Sequence, residues 1–531
     1  MRLEARLSEA VLRFGPKTAL VAGDVRLTYA ELDASANRLA SSLARAGVVA
    51  GDRVLMVLDN GHEAVIGFFA AWKLGATACP IHPSIKADKL AGIMSSIEAA
   101  VVVTQTRMRA TVEAALATAK LKPLLAIVQA GAEDTLGTAL RFEDLIAADA
   151  DELPPAPLDE EGLALVIHTS GSTGRPKGVM LTHANVTAAC EAIVSYLGNT
   201  PDDTVLSVLP LSFGYGITQV VTMVMAGGTL VLEKSFAFPR KIIERLAEEK
   251  ATGFPLVPPM AALITGMKDL EPGFLPSLRY VTSAAAALPP AFTERLQHLL
   301  PETQLFIMYG QTECIRATYL RPEEAMRRPL SVGRAIPGTQ AFVVDENGDP
   351  VPAGVIGELV IEGPHVMYGY WDDQLSTART LSPALGPRRL NTGDLFRADE
   401  DGFLYFISRR DDIIKTRGEK VSPQEVERAL YALPGIKEAA VGGVEDAVFG
   451  QVVRAYVVLE DGVAMSEREI IRHCAGLLED YMVPKGVEFL NALPRTTTGK
   501  IRLGADQQAE QISAEQAVPE QKNDVKQGTV A

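Results

Sequence analysis

Leu163-Ala-Leu-Val-Ile-His-Thr-Ser-Gly-Ser-Thr-Gly-Arg-Pro-Lys-Gly-Val-Met-Leu-Thr182 is the stretch on which the reading of this chain turns. An apolar run enters a loop of hydroxyls and glycines, and a second apolar run leaves it. Glycines let the backbone turn several N–H groups toward one anion, because no Cβ blocks the approach. Thr169, Ser170, Ser172 and Thr173 add hydroxyl donors, Gly171 and Gly174 add freedom, and Lys177 adds a full positive charge. Such a loop suits a triphosphate. It is not a P-loop: GxxxxGK[ST] fails, and the residues after Lys177 read as a strand rather than a helix.

Working outward, the first 150 residues alternate helix and strand signals. Thr28-Tyr-Ala-Glu31 is a capping box; Leu32, Ala36, Leu39, Ala40 and Leu43 recur at helical spacing, and Gly47 suits the stop. Arg53–Leu58 reads as a buried strand, and a helix is expected from Ala64 to Leu74. The alternation continues to about residue 330 and predicts parallel sheets covered by helices. From Ala341 to Gly402, short runs are broken by Asn-Gly, Pro and Gly, which predicts a β-rich subdomain. Residues 408–420 hold eight charged side chains and form a surface connection. Beyond it, Ser422-Pro-Gln-Glu425 is expected to be a second capping box. The helices Val426–Leu433 and Glu467–Leu478 and the strands Ala439–Val444 and Val452–Leu459 make a separate α+β unit. The tail from Ala505 is too polar to fold alone.

The chain has 531 residues, 47% of them apolar, which allows a large core. Its net charge of −15 argues against nucleic acid as the main partner, since phosphate backbones need clustered Lys and Arg. Cys79, Cys190, Cys314 and Cys474 are scattered without a CxxC pair, and no HxxxH occurs, so neither a disulfide framework nor a zinc site is indicated. The start lacks the apolar block of a signal peptide. The longest greasy stretch, Val220–Leu232, falls short of the roughly 20 residues of a membrane span. A cytoplasmic protein is expected.

Five stretches in fixed order carry a family resemblance. Thr169-Ser-Gly-Ser-Thr-Gly-Arg-Pro-Lys-Gly178 resembles the first signature of the adenylate-forming superfamily, which includes acyl-CoA synthetases, nonribosomal-peptide adenylation domains and firefly luciferase. Tyr309-Gly-Gln-Thr-Glu313 resembles the second and Asn391-Thr-Gly-Asp394 the third. Ser408-Arg-Arg-Asp-Asp-Ile-Ile-Lys415 with Gly418 resembles the interdomain stretch, and Pro494-Arg-Thr-Thr-Thr-Gly-Lys-Ile501 the C-terminal lysine motif. The implied fold is α/β. A large N-terminal domain (1–407) holds two helix-covered, mostly parallel sheets plus the β-rich subdomain (about 335–407). A hinge segment (408–415), a small mobile α+β C-terminal domain (416–504) and a disordered tail (505–531) follow.

The resemblance also implies a reaction: ATP and a carboxylic acid give an acyl-adenylate and pyrophosphate, and the acyl group then passes to a thiol. On this basis Tyr309, with Gly310 and Gln311, flanks adenine. Thr312 bonds the α-phosphate and Glu313 holds Mg²⁺. Asp394 accepts from the ribose hydroxyls and Arg409 reaches ribose and phosphate. Ala284, Ala285 and Ala286 stand where many relatives carry a Gly-Gly-Ala-Pro-like turn against adenine; alanine is poor at positive φ, and the sequence equally reads as a helix start. Lys500 is the catalytic cation, bridging carboxylate and phosphate oxygens as charge develops. Asp411 is the hinge about which relatives rotate their C-terminal domain, exchanging Lys500 for the stretch with Lys415 and Gly418 in the thiol step.

Leu209-Pro-Leu-Ser-Phe-Gly-Tyr-Gly216 is expected to line the acid pocket, with Phe213, Gly214, Tyr215, Val257 and Pro258 as walls or as plain core. Amino-acid adenylation domains carry an Asp where Gly214 stands, so a zwitterion would bury an unpaired charge. A fatty or aryl acid is favoured. Coenzyme A is the expected acceptor and an acyl carrier protein the alternative. A member that only binds nucleotide is disfavoured because Lys500, Glu313 and Asp394 are all present. His168, where relatives often have Tyr, has no reading from sequence.

Overall fold

The computed structural model describes residues 1–119, 123–129, 139–150, 159–170, 176–382, 388–410, 412–416, 419–446, 450–495, 501 and 503. The chain divides into two compact units, Met1–Asp411 and Asp412–Ala531.

In the first unit, two sheets grip a shared layer of helices. One sheet, 14-stranded among the described residues, is half parallel. Its parallel half runs from Gln304–Tyr309 through Tyr280–Ser283, Gly253–Leu256, Thr204–Ser207 and Thr229–Leu232 to Thr18–Ala22. At Gln304–Tyr309 the direction changes: Thr318–Leu320 pairs antiparallel with it, and Ser331–Ala335, Leu404–Arg409, Arg389–Ala398, Ile356–Glu362 and Gln340–Val344 continue antiparallel. The β-rich region expected as a subdomain is therefore hydrogen-bonded onto the parallel sheet. The short strands Thr318–Leu320 and Ser331–Ala335 pair the edge that Gln304–Tyr309 would otherwise present.

The second sheet has the order Gly369–Tyr370, Pro176–Thr182, Leu163–Ser170, Thr77–Ile81, Arg53–Val57, Val101–Gln105, Leu124–Val128, Leu140–Arg141. Residues 163–182 hold a hairpin: Leu163–Ser170 pairs antiparallel with Pro176–Thr182, with Thr169 opposite Lys177. Behind it lies the helix His62–Lys73, nearly all of whose residues are buried. A helix apolar all round must be enclosed, and its core cluster takes Leu165 and Val54 from one sheet and Val205 and Leu230 from the other. Trp72 is fully buried and donates its indole N–H to the Ala164 carbonyl at 2.9 Å.

Local rules explain some element ends. The Thr28 capping box forms, with the Glu31 carboxylate accepting from the Thr28 N–H at 2.8 Å. The greasy stretch from Val220 resolves into the helix Gly214–Ala226, a left-handed Gly227 and the strand Thr229–Leu232. No described helix is long and apolar enough to cross a membrane.

The second unit sets the helices Pro423–Tyr431 and Glu467–Ala475 against a sheet built around the hairpin Ile436–Asp446 and Gly450–Leu459. The Ser422 capping box does not form: the Glu425 amide donates to the Ser422 carbonyl at 3.2 Å, and no side-chain cap is made. Pro423 and the main-chain turn start that helix instead. The polar tail 505–531 lies outside the described residues.

Candidate active site

The site assembles where the direction-changing strand Gln304–Tyr309 ends. Asp394 sits on Arg389–Ala398 and is the register partner of Arg409 on Leu404–Arg409. Its carboxylate is 3% exposed. One oxygen accepts from the Tyr309 hydroxyl at 2.7 Å and the Gln311 amide at 2.8 Å; the other faces Arg409 Nε at 3.4 Å. Gln311 also donates to the Thr392 carbonyl at 2.9 Å. A buried carboxylate is held only when its lone pairs are used in this way. Burial first, and the Asp394 charge second, push the Tyr309 hydroxyl well above its ordinary value, so it stays a donor through the neutral range. Its ring meets Phe396 edge-on at 5.0 Å.

A second chain of contacts reaches the phosphate-loop hairpin. Lys177 Nζ donates to Ser376 Oγ at 2.9 Å and lies 5.1 Å from the centre of the Tyr370 ring. The Tyr370 hydroxyl donates to Glu313 Oε1 at 2.8 Å. Tyr370 is placed by backbone pairing of Gly369–Tyr370 with Met180 and Val179, and by the Tyr370 N–H donating to Thr377 Oγ1 at 2.9 Å. Burial and then the Glu313 charge keep its hydroxyl protonated. Lys177 and Glu313 thus flank one tyrosine. Neither Tyr370 nor Ser376 was singled out from sequence, because neither belongs to a signature and the pairing joins distant segments.

Thr312 follows Tyr309, Gly310 and Gln311 in the turn, and its hydroxyl has no partner among the described residues. Gly310 is required by a close approach: a Cβ there would lie 2.7 Å from the Ile315 carbonyl oxygen. The alanine run is a loop after Tyr280–Ser283, not a helix start, and Ala285 takes φ +77°. Ala285 and Ala286 are exposed, whereas the Ala284 side chain is packed in the core, so only its backbone can face a ligand.

Of the acid-pocket candidates, Phe213 stacks on His82 with ring centres 5.9 Å apart, and Gly214 opens the helix Gly214–Ala226 onto free space. The half-buried Tyr215 bonds Thr282 Oγ1 at 2.7 Å. Pro258 is buried at the start of its helix, and Val257 packs against the core cluster that holds Leu256 and Met260, as plain core would. His168 lies on the strand entering the loop; burial pulls its pKa down to about 4, and Nδ1 is buried without a partner among the described residues. Thr169 and the backbone of Ser170 end that strand. Gly171, Ser172, Thr173, Gly174, Asp411, Gly418 and Lys500 lie outside the described residues, as does the side chain of Lys415.

Residues 7–371 match the family model described as AMP-binding enzyme, and residues 425–500 that of the AMP-binding enzyme C-terminal domain. A feruloyl-CoA synthase of Amycolatopsis sp is 33% identical over 490 residues, covering 92% of this chain and 94% of the relative. A long-chain-fatty-acid–CoA ligase of Mycobacterium tuberculosis is 32% identical over 479 residues, covering 90% and 92%. ATP-bound MatB from Rhodopseudomonas palustris superposes with a TM-score of 0.85 at 28% identity, over 97% of this chain and 99% of that one.

Proposed function

The chain belongs to the family of AMP-binding enzymes, and from that premise we infer that it works as an AMP-forming acyl-CoA synthetase. In the first half-reaction a carboxylate oxygen bonds to the α-phosphorus of ATP. The bond to the bridging oxygen breaks and pyrophosphate leaves. In the second, the coenzyme A sulfur bonds to the acyl carbon, its proton goes to solvent, and AMP leaves.

The observation that carries this reading is the meeting, around one turn, of a buried carboxylate and a lysine, groups that suit a ribose and a phosphate. Asp394, held by Tyr309, Gln311 and Arg409, stands on one side; Lys177 and Glu313, joined through Tyr370, stand on the other. We assign Asp394 and Arg409 to the ribose and Tyr309, Gly310, Gln311 and the Ala284–Ala286 loop to adenine. Thr169, Ser170, Gly171, Ser172, Thr173, Gly174 and Lys177 take the outer phosphates, and the Thr312 hydroxyl takes the α-phosphate. Oriented donors waiting where charge develops need little reorganisation in the transition state.

Mg²⁺ commonly binds through one or two carboxylates, waters and substrate phosphates rather than a full side-chain cage. Glu313 fits that pattern: Tyr370 donates to one of its oxygens, and it forms no ion pair among the described residues. Bound there, Mg²⁺ offsets phosphate charge. Lys500 is assigned to adenylate formation alone, Asp411 to the hinge, and Lys415 and Gly418 to the thiol step. An apolar acid, fatty or aryl, is the expected substrate. All four cysteines are buried and free, which supports a reducing cytoplasmic setting.

The test is pyrophosphate release from ATP with a panel of carboxylic acids, with and without coenzyme A, and mass detection of the thioester. Adenylate without acceptor and thioester only with coenzyme A are expected. Transfer to a carrier protein but not to coenzyme A would move the acceptor assignment. No pyrophosphate with any acid would defeat the reading. Lys500→Ala given ready-made acyl-adenylate should still form thioester; equal loss in both steps would refute its assignment.

A further inference from the structure

Arg316 is 2% exposed and its Nε is buried without a hydrogen-bond partner. Among the described residues its guanidinium has no ion pair and no hydrogen bond; its one packed contact of note is the Tyr215 ring, with the guanidinium carbon 5.0 Å from the ring centre. A guanidinium cannot shed its charge by deprotonating, so buried arginines are ordinarily paired with carboxylates. Cys190, Tyr196, Tyr215 and Cys314 are among the titratable groups that feel this charge. Burial holds all four protonated, with Tyr215 and Cys314 pushed up to about 12, so none of these four supplies a counter-charge; Glu313 and Asp394 also act on Cys314, but neither pairs with Arg316 among the described residues.

The backbone is bent to bring this side chain in. Ile315 takes φ +59°, and the Arg316 N–H donates to the Cys314 carbonyl at 2.5 Å across it. A positive φ at a β-branched residue is a genuine outlier, and such strain persists where the surrounding structure holds it. It does so here because Gly310 leaves room: a Cβ on Gly310 would lie 2.9 Å from Arg316 Cα. Arg316 therefore stands three residues past Glu313 on the same turn, over the aromatic wall of the acid pocket candidate.

We propose that Arg316 is the recognition group for a second anionic group on the acid, so that the substrate is a dicarboxylic acid with an apolar body, activated at one end. The proposal rests on the ligase reading above. A bound second carboxylate fills the fork of the guanidinium and supplies the missing counter-charge, and the Tyr215 ring covers the cation from the other side. The reacting carboxylate is a poorer occupant, because tight pairing with a guanidinium would hold the lone pair that must attack phosphorus.

The experiment compares dicarboxylic acids with monocarboxylic acids of equal length, aliphatic and aromatic, by pyrophosphate release in the full-length protein. The wild type is expected to favour the diacid at least tenfold in kcat/KM. In Arg316→Met that ratio should fall at least tenfold, and Arg316→Lys should restore part of it. A diacid-to-monoacid ratio unchanged by Arg316→Met, whatever the absolute activity, overturns the proposal. Equal loss for all acids overturns it too and puts Arg316 on the reacting carboxylate or in the fold. If the Met variant does not fold, the wild-type ratio decides: equal kcat/KM for diacid and monoacid overturns it. Turnover of monoacids alone leaves the ligase reading standing while the proposal falls; silence with every acid removes the ligase reading itself.

Discussion

Replacing Tyr370 by Phe removes one oxygen from the path between Lys177 and Glu313 and leaves the ring in place. The lost bond is 2.8 Å long, and Tyr370 is 8% exposed. Hydrogen bonds to charged groups are worth about 1.5–3 kcal/mol. Glu313 is only half-buried, so the lower end, about 1.5 kcal/mol, applies, which is roughly tenfold in an equilibrium or rate ratio. If Tyr370 orients Glu313, Tyr370→Phe should cut kcat/KM for ATP in acid-dependent pyrophosphate release about tenfold. Half-saturation in Mg²⁺ should rise in step. Lys177 keeps its ring, so Tyr370→Leu should cost a further ~0.5–1 kcal/mol. The decisive measurement is the double-mutant cycle with Glu313→Gln. The pair should be little worse than Glu313→Gln alone. Full additivity of the two losses would show that Tyr370 does not act through Glu313.

Asp394→Asn keeps shape but loses the charge beside Arg409, and its one oxygen can serve either Tyr309 and Gln311 or Arg409, not both; a fall of about 2 kcal/mol in stability by denaturant melts and a clear rise in KM for ATP are expected. Ala285→Gly relieves a left-handed conformation costing roughly 1–2 kcal/mol against about 0.5–1 kcal/mol of added chain entropy, so a small net gain is expected; a lower melting temperature would contradict the strain argument. In the second unit, burial chiefly raises Glu427 from 4.5 to about 7, partly opposed by the Val441 N–H it accepts. A folded pKa above the unfolded one means stability is intact below pH 4.5 and is lost as pH rises toward 7. Glu427→Gln should therefore stabilise by on the order of 1–2 kcal/mol above pH 7 and not at all near pH 4; a pH-independent difference would contradict it.

How much could be read from the sequence depended on the range of the interaction. The Thr28 cap is set by neighbours in the chain and forms as expected; the strand after Lys177 forms as expected too, and its pairing back onto Leu163–Ser170 is what the structure adds. Ser422 had the same pattern as Thr28, but main-chain bonding took the Glu425 amide. Tyr309, Gln311, Asp394 and Arg409 were named from their motifs, and sheet register brings them together. Tyr370 and Arg316 went unnoticed because their meaning lies in what surrounds them. One is zipped to a strand nearly 200 positions away, as Tyr370↔Val179 shows, and the other matters because no ion pair holds it among the described residues. Likewise, alternation patterns reveal strands but not that Thr318–Leu320 would fuse two regions into one sheet.

Gly369–Tyr370 is only two residues long, yet it lies along the outer rim of the hairpin that ends in Pro176–Thr182. The neighbouring Trp371 amide adds a further bond to the Gly178 carbonyl at 2.7 Å. A bare rim of backbone donors and acceptors invites foreign strands. A truncated chain stopping before residue 369 would retain the parallel scaffold but leave that rim uncovered. It should therefore leave solution as aggregate rather than persist as a soluble, inactive fragment.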